Sequence, residues 1–346
     1  MQNRNVLKLV EFSSWQKRLV LLFMVLAVTA VMSPEFFAFK NLLRTLPTFA
    51  VYTVFACGAL FVGISGGIDL SIGGVAALSG SITVMSMERS GYSTGALVTG
   101  LAVSFAVSAL IGAASGFAVS RLKTPSFVIT LAWKFILYGV VPVILGNAQI
   151  YVKMKTSNPA VKNDFFHVLG SANVAGVPVL ALIIIPAALV TRLILAKTRF
   201  GRNLRELGAA KNRAVIRGVS AAGTSAAAYA LCSVFACAAG IMLTSINLQV
   251  STSTADGSAA IIIAALAIGG VKFLQGTGRV SGIIFGAFIA SVATNLLALT
   301  GVQTELRWIF RACVIVGALI MSGYGSRKSN PEFRTPGASV VVREDD

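Results

Sequence analysis

The chain has 346 residues, of which 56% are hydrophobic and only 12% charged, about half the charged share of a soluble domain. Runs of roughly 17–25 apolar residues recur, each long enough to cross a bilayer as a helix, and the short alternating segments of a membrane barrel are missing. A net charge of +17 falls between these runs, where basic residues orient spans, so the composition excludes a nucleic-acid binder and describes an all-α polytopic membrane protein.

Taken in chain order, Val6, Leu7, Leu9, Val10, Phe12 and Trp15 give one apolar face to an interfacial helix over 1–18. Arg4, Lys8, Lys17 and Arg18 then precede the apolar run 19–32, in the outline of a secretory signal. The cleavage-like stretch 27–30 falls inside that run and further spans follow, so a retained first helix is expected. Spans are predicted at about 19–33, 42–63, 71–87, 94–119, 126–145, 176–196, 223–245, 258–271, 280–300 and 304–324. These are ten membrane or half-membrane helices, and the eighth is short enough to be re-entrant. They make one membrane domain over 19–325, followed by a tail over 326–346. Nineteen lysines and arginines fall in the termini and the loops that share their side, and six in the opposite loops, which places both termini in the cytoplasm.

Few residues carry recognisable chemistry. Cys57, Cys232, Cys237 and Cys313 lie in apolar runs without zinc spacing and read as small buried hydrophobes. His167, the only histidine, reads as a surface residue of the long loop 146–175. No P-loop is present. The glycine-rich stretch 269–279 lacks the terminal Lys-Ser/Thr, and its glycines suit a helix break with close packing. Nothing resembles a nucleophile with its base, or a metal cluster, so no cofactor is expected on this chain.

Two segments stand out. In the first, "GISGGIDLSIGGV" over 63–75, Asp69 is the one acidic residue between Glu35 and Glu88. Gly66 and Gly67 permit a helix break, and Asp69 and Ser71 are good N-cap residues for the helix that resumes. The expectation is a broken helix over 63–73, capped by a side-chain carboxylate, of the kind that flanks a transport route. Three roles are open for Asp69: a cap alone, a cap that shapes a cavity wall, and direct contact with solute. The second segment is the basic loop 197–219, far longer than a tight helix connection requires. In it Gly208 and Gly218 bracket a run fit for a short helix that docks on a partner. Lesser candidates are Asn295, either bonded to a neighbouring helix or facing the pathway, Asn147 and Gln149, and Arg307 and Arg311, which need a carboxylate or carbonyl partner.

"GGIDLSIG" at 66–73, "TRFGRNLRELG" at 198–208 and "GG…GTGRVSG" over 269–282 resemble the permease subunits of bacterial ABC sugar importers, the ribose, galactose and autoinducer-2 type family. The resemblance covers about residues 40–320. It implies a second permease copy or paralogue, two ATPase subunits that hold ATP-Mg, an extracytoplasmic solute-binding protein, and residence in the bacterial inner membrane. It also implies that 197–219 is the segment seated in an ATPase cleft, through Arg199, Phe200, Gly201, Arg202, Arg205, Glu206, Gly208, Arg213 and Gly218. Two stretches depart from the family pattern. Residues 259–265 are wholly apolar where relatives carry an acidic run, with Asp256 displaced nearby, and Gly208-Ala209-Ala210 replaces a Gly-Gly-Asn. The expected activity is ATP-driven import of a monosaccharide or similar small polar solute, with a nucleoside or autoinducer as alternative cargo. A transporter driven by an ion gradient is the competing class, for which intramembrane acidic residues are the expected mark; a non-transporting membrane scaffold, a third class, has no need of the broken helix.

Overall fold

The computed structural model describes residues 23–301, except 24, 28, 32, 156, 159, 162 and 274. The expected interfacial helix over 1–18, the span over 304–324 with Arg307, Arg311 and Cys313, and the tail over 326–346 lie outside the described residues. Of the first expected span, residues 23, 25–27 and 29–31 are helical.

After a short 3-10 turn at Pro34–Phe37, the long helices follow in order. They are α1 (Phe39–Ile64), α2 (Ile72–Arg89), α3 (Thr94–Arg121) and α4 (Ser126–Leu145), then the small α5 (Phe165–Ser171) and α6 (Val179–Lys197). Two surface helices, α7 (Arg199–Ala209) and α8 (Lys211–Ile216), lead to α9 (Ala221–Asn247), α10 (Ser258–Ile268) and α11 (Val280–Leu299). Local chemistry sets several boundaries. The hydroxyls of Ser93, Thr198 and Ser220 accept from the backbone N–H three residues on, at 3.1–3.2 Å, capping α3, α7 and α9.

Among the described residues six helices are long and apolar enough to span a membrane: α1, α3, α4, α6, α9 and α11. Ten membrane or half-membrane helices were expected, of which the tenth and part of the first lie outside the described residues, and two others do not reach the length and apolarity of a span. α10 has only 11 residues, and α2, although 18 residues long, is not among the six. The reason lies in what α2 touches. Thirteen of its residues are buried, so it faces protein and has no need of an apolar surface toward lipid. Its polar side chains are used between helices: Ser79 Oγ lies 3.0 Å from Ser108 Oγ, and Thr83 Oγ1 2.9 Å from Ser104 Oγ, both on α3.

α9 is the hub, packed on α1, α2 and α3. Its approach to α3 depends on Gly112 and Gly116, where an added Cβ would stand 2.3 Å from Tyr229 O and Ser225 O. Such small residues one turn apart let backbones meet directly. Gly116→Leu is therefore expected to destabilise the bundle by about 1–3 kcal/mol or more, the scale of overpacking. Gly95→Leu on the same helix, where a Cβ meets nothing within 4 Å, should leave stability unchanged. Thermal denaturation of both in detergent checks the pair.

Among the described residues there are also two antiparallel strand pairs. β1 (Ile150–Tyr151) pairs with β4 (Gln249–Val250), with Ile150 opposite Val250, and clasps the end of α4 to the end of α9. β2 (Asn173–Val174) and β3 (Val177–Pro178) form a hairpin before α6.

Candidate functional site

α1 ends in a Schellman motif. Gly66, at φ +89°, donates to Gly63 O at 3.2 Å and Gly67 donates to Val62 O at 3.0 Å. The two glycines serve different needs. Gly66 supplies the left-handed conformation, whereas at Gly67 a Cβ would lie 2.3 Å from the Tyr229 hydroxyl of α9. The chain then runs without helix to Ser71, and α4 satisfies part of its backbone: Ile68 N–H donates to Ser126 Oγ at 2.9 Å. The expected break over 63–73 is thus placed at 65–71.

Asp69 is 5% exposed. Its Oδ1 accepts from Ser71 N–H at 2.8 Å and from Ser71 Oγ–H at 2.6 Å, an Asx turn. This corrects the expected cap. Neither side chain reaches the free N–H groups of α2: Ser71 sits at the N-cap position with no side-chain cap bond. Its hydroxyl is turned back to Asp69, so the carboxylate fixes the residue before the helix instead of the helix itself. Asp69 Oδ2 and the Tyr229 hydroxyl are both buried without a hydrogen-bond partner among the described residues.

The basic loop folds as two helices: the run that Gly208 and Gly218 bracket holds the short α8, as expected, while Gly208 itself has a second place. It lies inside α7, because a Cβ there would stand 1.8 Å from Ile64 O, the last residue of α1. Leu204 and Leu207 are buried beside it, and the Phe200 ring packs 6.1 Å from Phe61 of α1. Gly276, in the turn between α10 and α11, closes on Arg205 O from the other side. α7 is therefore seated directly on the residue after which the helix breaks. Gly201, also buried, allows the tight bend against Leu195 O. Arg199, Arg202 and Arg213 are exposed, Arg205 and Glu206 are half-buried, and Arg217 lies 4.0 Å from Glu206 across the two helices. Gly218, at φ +85°, ends α8, whose Val215 and Ile216 are exposed among these cations.

Asn295 is bonded across helices. It exchanges amide hydrogen bonds with Asn41 of α1 at 3.0 and 3.3 Å, next to a 3.3 Å contact between the hydroxyls of Tyr52 and Thr294. Gln149 bonds Gln249 across the β1–β4 clasp, and Asn147 takes a positive φ just past α4. His167 lies on the small helix α5 that interrupts the expected loop, 3.4 Å from Asp164, and no group of metal-ligating residues occurs among the described ones. One cluster escaped the sequence reading: Lys134 and Tyr138 of α4 meet Asp256, just before α10. Its signal was available, since Lys134 is the only charged residue in α4.

The profile of a family described as a branched-chain amino acid transport system permease component matches residues 41–319. The ribose import permease protein RbsC of Escherichia coli K12 is 30% identical over 306 residues, covering 88% of this chain and 92% of that protein. RbsC of Bacillus subtilis is 29% identical over 301 residues, 87% of this chain and 90% of its own. The L-arabinose transport system permease protein AraH of E. coli K12 is 27% identical over 310 residues, 89% of this chain and 90% of its own. No solved structure matches. With a family profile across most of its length, and sugar permeases aligned over nearly nine-tenths of it, this multi-pass membrane chain belongs to the permease family of ABC importers.

Proposed function

We propose that the chain is the membrane-spanning subunit of an ATP-driven importer for a monosaccharide or similar small polar solute. It works with a second permease, two ATPase subunits and an extracytoplasmic binding protein, and has no ATP site of its own. The observation that carries this reading is the seating of α7 on α1: Gly208 against Ile64 O, one residue before the break. A basic helix pair that presents Arg199, Arg202, Arg213 and Ile216 outward, and grips the end of a broken helix inward, is suited to carry ATPase movement into the membrane domain. The names of RbsC and AraH support a pentose-like cargo. Alternating access then consists of α7 and α8 displacing the 65–71 segment and the helices around it.

Uptake of radiolabelled ribose and arabinose into vesicles that contain the whole complex tests the proposal. Inhibition by orthovanadate is expected, and uptake that ignores vanadate but collapses with a protonophore would identify a gradient-driven transporter instead. The orientation follows from the charge asymmetry: Asn212 of α8 lies inside and Ser157 of the long loop outside. Single-cysteine variants at the two positions, treated with an impermeant thiol reagent on intact cells, should label only at 157. The reverse pattern would refute it.

A further inference from the structure

We propose that Lys134, Tyr138 and Asp256 form the polar constriction of the transport route and grip a neutral, polyhydroxylated solute. The proposal rests on the importer reading above. Lys134 is the ninth residue of the 20-residue α4, so at 1.5 Å per residue it lies roughly 12 Å from one helix end and 16 Å from the other. Neither end is within reach of a lysine stem, so the ammonium cannot escape to an interface by extending along the helix. It pairs instead with Asp256 Oδ1 at 3.8 Å, its Nζ 5.1 Å above the Tyr138 ring. The Tyr138 hydroxyl donates to the same oxygen, as does Gly257 N–H at 3.0 Å.

Two further observations separate this cluster from an ordinary structural ion pair. Asp256 belongs to an irregular segment, 251–257, held at the depth of the α4 centre: Ala255 O abuts Gly73 at the start of α2, and Leu137 packs on the adjacent Gly74. Irregular backbone at such depth is tolerated where protein or a water-filled cavity covers it. The side chains of Lys134 and Asp256 are also 30% and 28% exposed. Charges that exposed, in the middle of an apolar span, meet water and not lipid, which marks a route for polar solutes. The chemistry then selects the cargo. The carboxylate accepts from hydroxyls, with Oδ2 free of partners among the described residues; the ammonium donates; and the tyrosine ring offers an apolar face. The pair is neutral as a whole, so an uncharged polyol replaces their mutual contacts without leaving a charge over.

Two arms in the reconstituted complex test this. In a cysteine-free background, Tyr138→Cys should react with a charged methanethiosulfonate at least about tenfold faster than Phe135→Cys or Val143→Cys, which stand 64% and 77% exposed on the outside of the same helix. Equal rates would overturn the proposal, and this arm requires no nucleotide and no knowledge of the cargo. In the second arm, ribose uptake should fall at least about tenfold in Asp256→Asn and in Lys134→Met, the scale of losing a hydrogen bond to a charged group. The double variant Lys134→Met/Asp256→Asn leaves no charge unpaired, so recovery of uptake there would show a purely structural ion pair and overturn the proposal; continued loss supports it. If wild-type complex shows no vanadate-sensitive ribose uptake, the labelling arm alone decides the constriction, and the failure falls on the cargo or the importer reading.

Discussion

Gly208→Ala is expected to cut ATP-driven uptake by about tenfold or more, the factor that about 1.4 kcal/mol represents, while membrane insertion persists. The methyl group would stand 1.8 Å from Ile64 O and meet Gly276 Cα at 3.0 Å. Both obstacles are backbone, so no side-chain rotation relieves them, and overpacking of this kind costs about 1–3 kcal/mol. The least disruptive response is for α7 to lift away from the end of α1. Its outward residues Arg199 and Arg202 remain exposed after such a shift, so the variant should still co-purify with its ATPase partner. Arg213→Glu supplies the opposite result. Arg213 is exposed on α8, so reversing its charge should weaken co-purification without lowering the melting temperature. Full uptake by Gly208→Ala would remove the seam between α7 and α1 as the route of coupling.

The break was legible in the sequence because two glycines followed by an acid interrupt an apolar run, a combination that few structures other than a discontinuous helix explain. Its bounds and its bonding were not. Whether Asp69 or Ser71 would reach the N–H groups of α2 depends on one residue's backbone conformation, and Ser71, already in the right-handed helical region at φ −79° and ψ −14°, directs its hydroxyl backward. α2 was predicted as a span from its length. What its serines and threonines signified was a helix buried largely against protein, and while α3 follows it directly, the other neighbour, α9, lies in distant sequence. Gly208 was read with Gly218 as bracketing a short helix, and α8 does lie between them, but its seat inside α7 against α1 was not legible. A glycine records that something stands close, but not what, and Ile64 is the answer only in three dimensions. Lys134 was visible as a charge within a span. Its partner was not, because Asp256 precedes α10, more than a hundred residues on, and meets α4 only once the chain has folded.

Asp69→Ala is expected to lower both the yield of folded protein and its melting temperature, and Asp69→Asn to preserve them. Asp69 Oδ1 holds the N–H and the hydroxyl of Ser71 together, and alanine would leave both donors buried and unpaired, at a cost of about 1–3 kcal/mol for such groups. Asparagine retains the Oδ1 acceptor in nearly the same shape. It also replaces Oδ2, buried without a hydrogen-bond partner among the described residues, with an amide nitrogen. The substitution therefore removes a buried carboxylate oxygen that nothing satisfies, and its expected effect on stability is neutral or favourable. Uptake separates the remaining roles. If Asp69 serves only to set the start of α2, Asp69→Asn transports at close to the wild-type rate and Asp69→Ala loses transport in proportion to its loss of folded protein. If the carboxylate itself meets the solute, Asp69→Asn fails while melting like wild type. The geometry favours the first outcome, because the hydrogen bonds of Oδ1 go to Ser71 and Oδ2 is buried, with neither oxygen open to a solute.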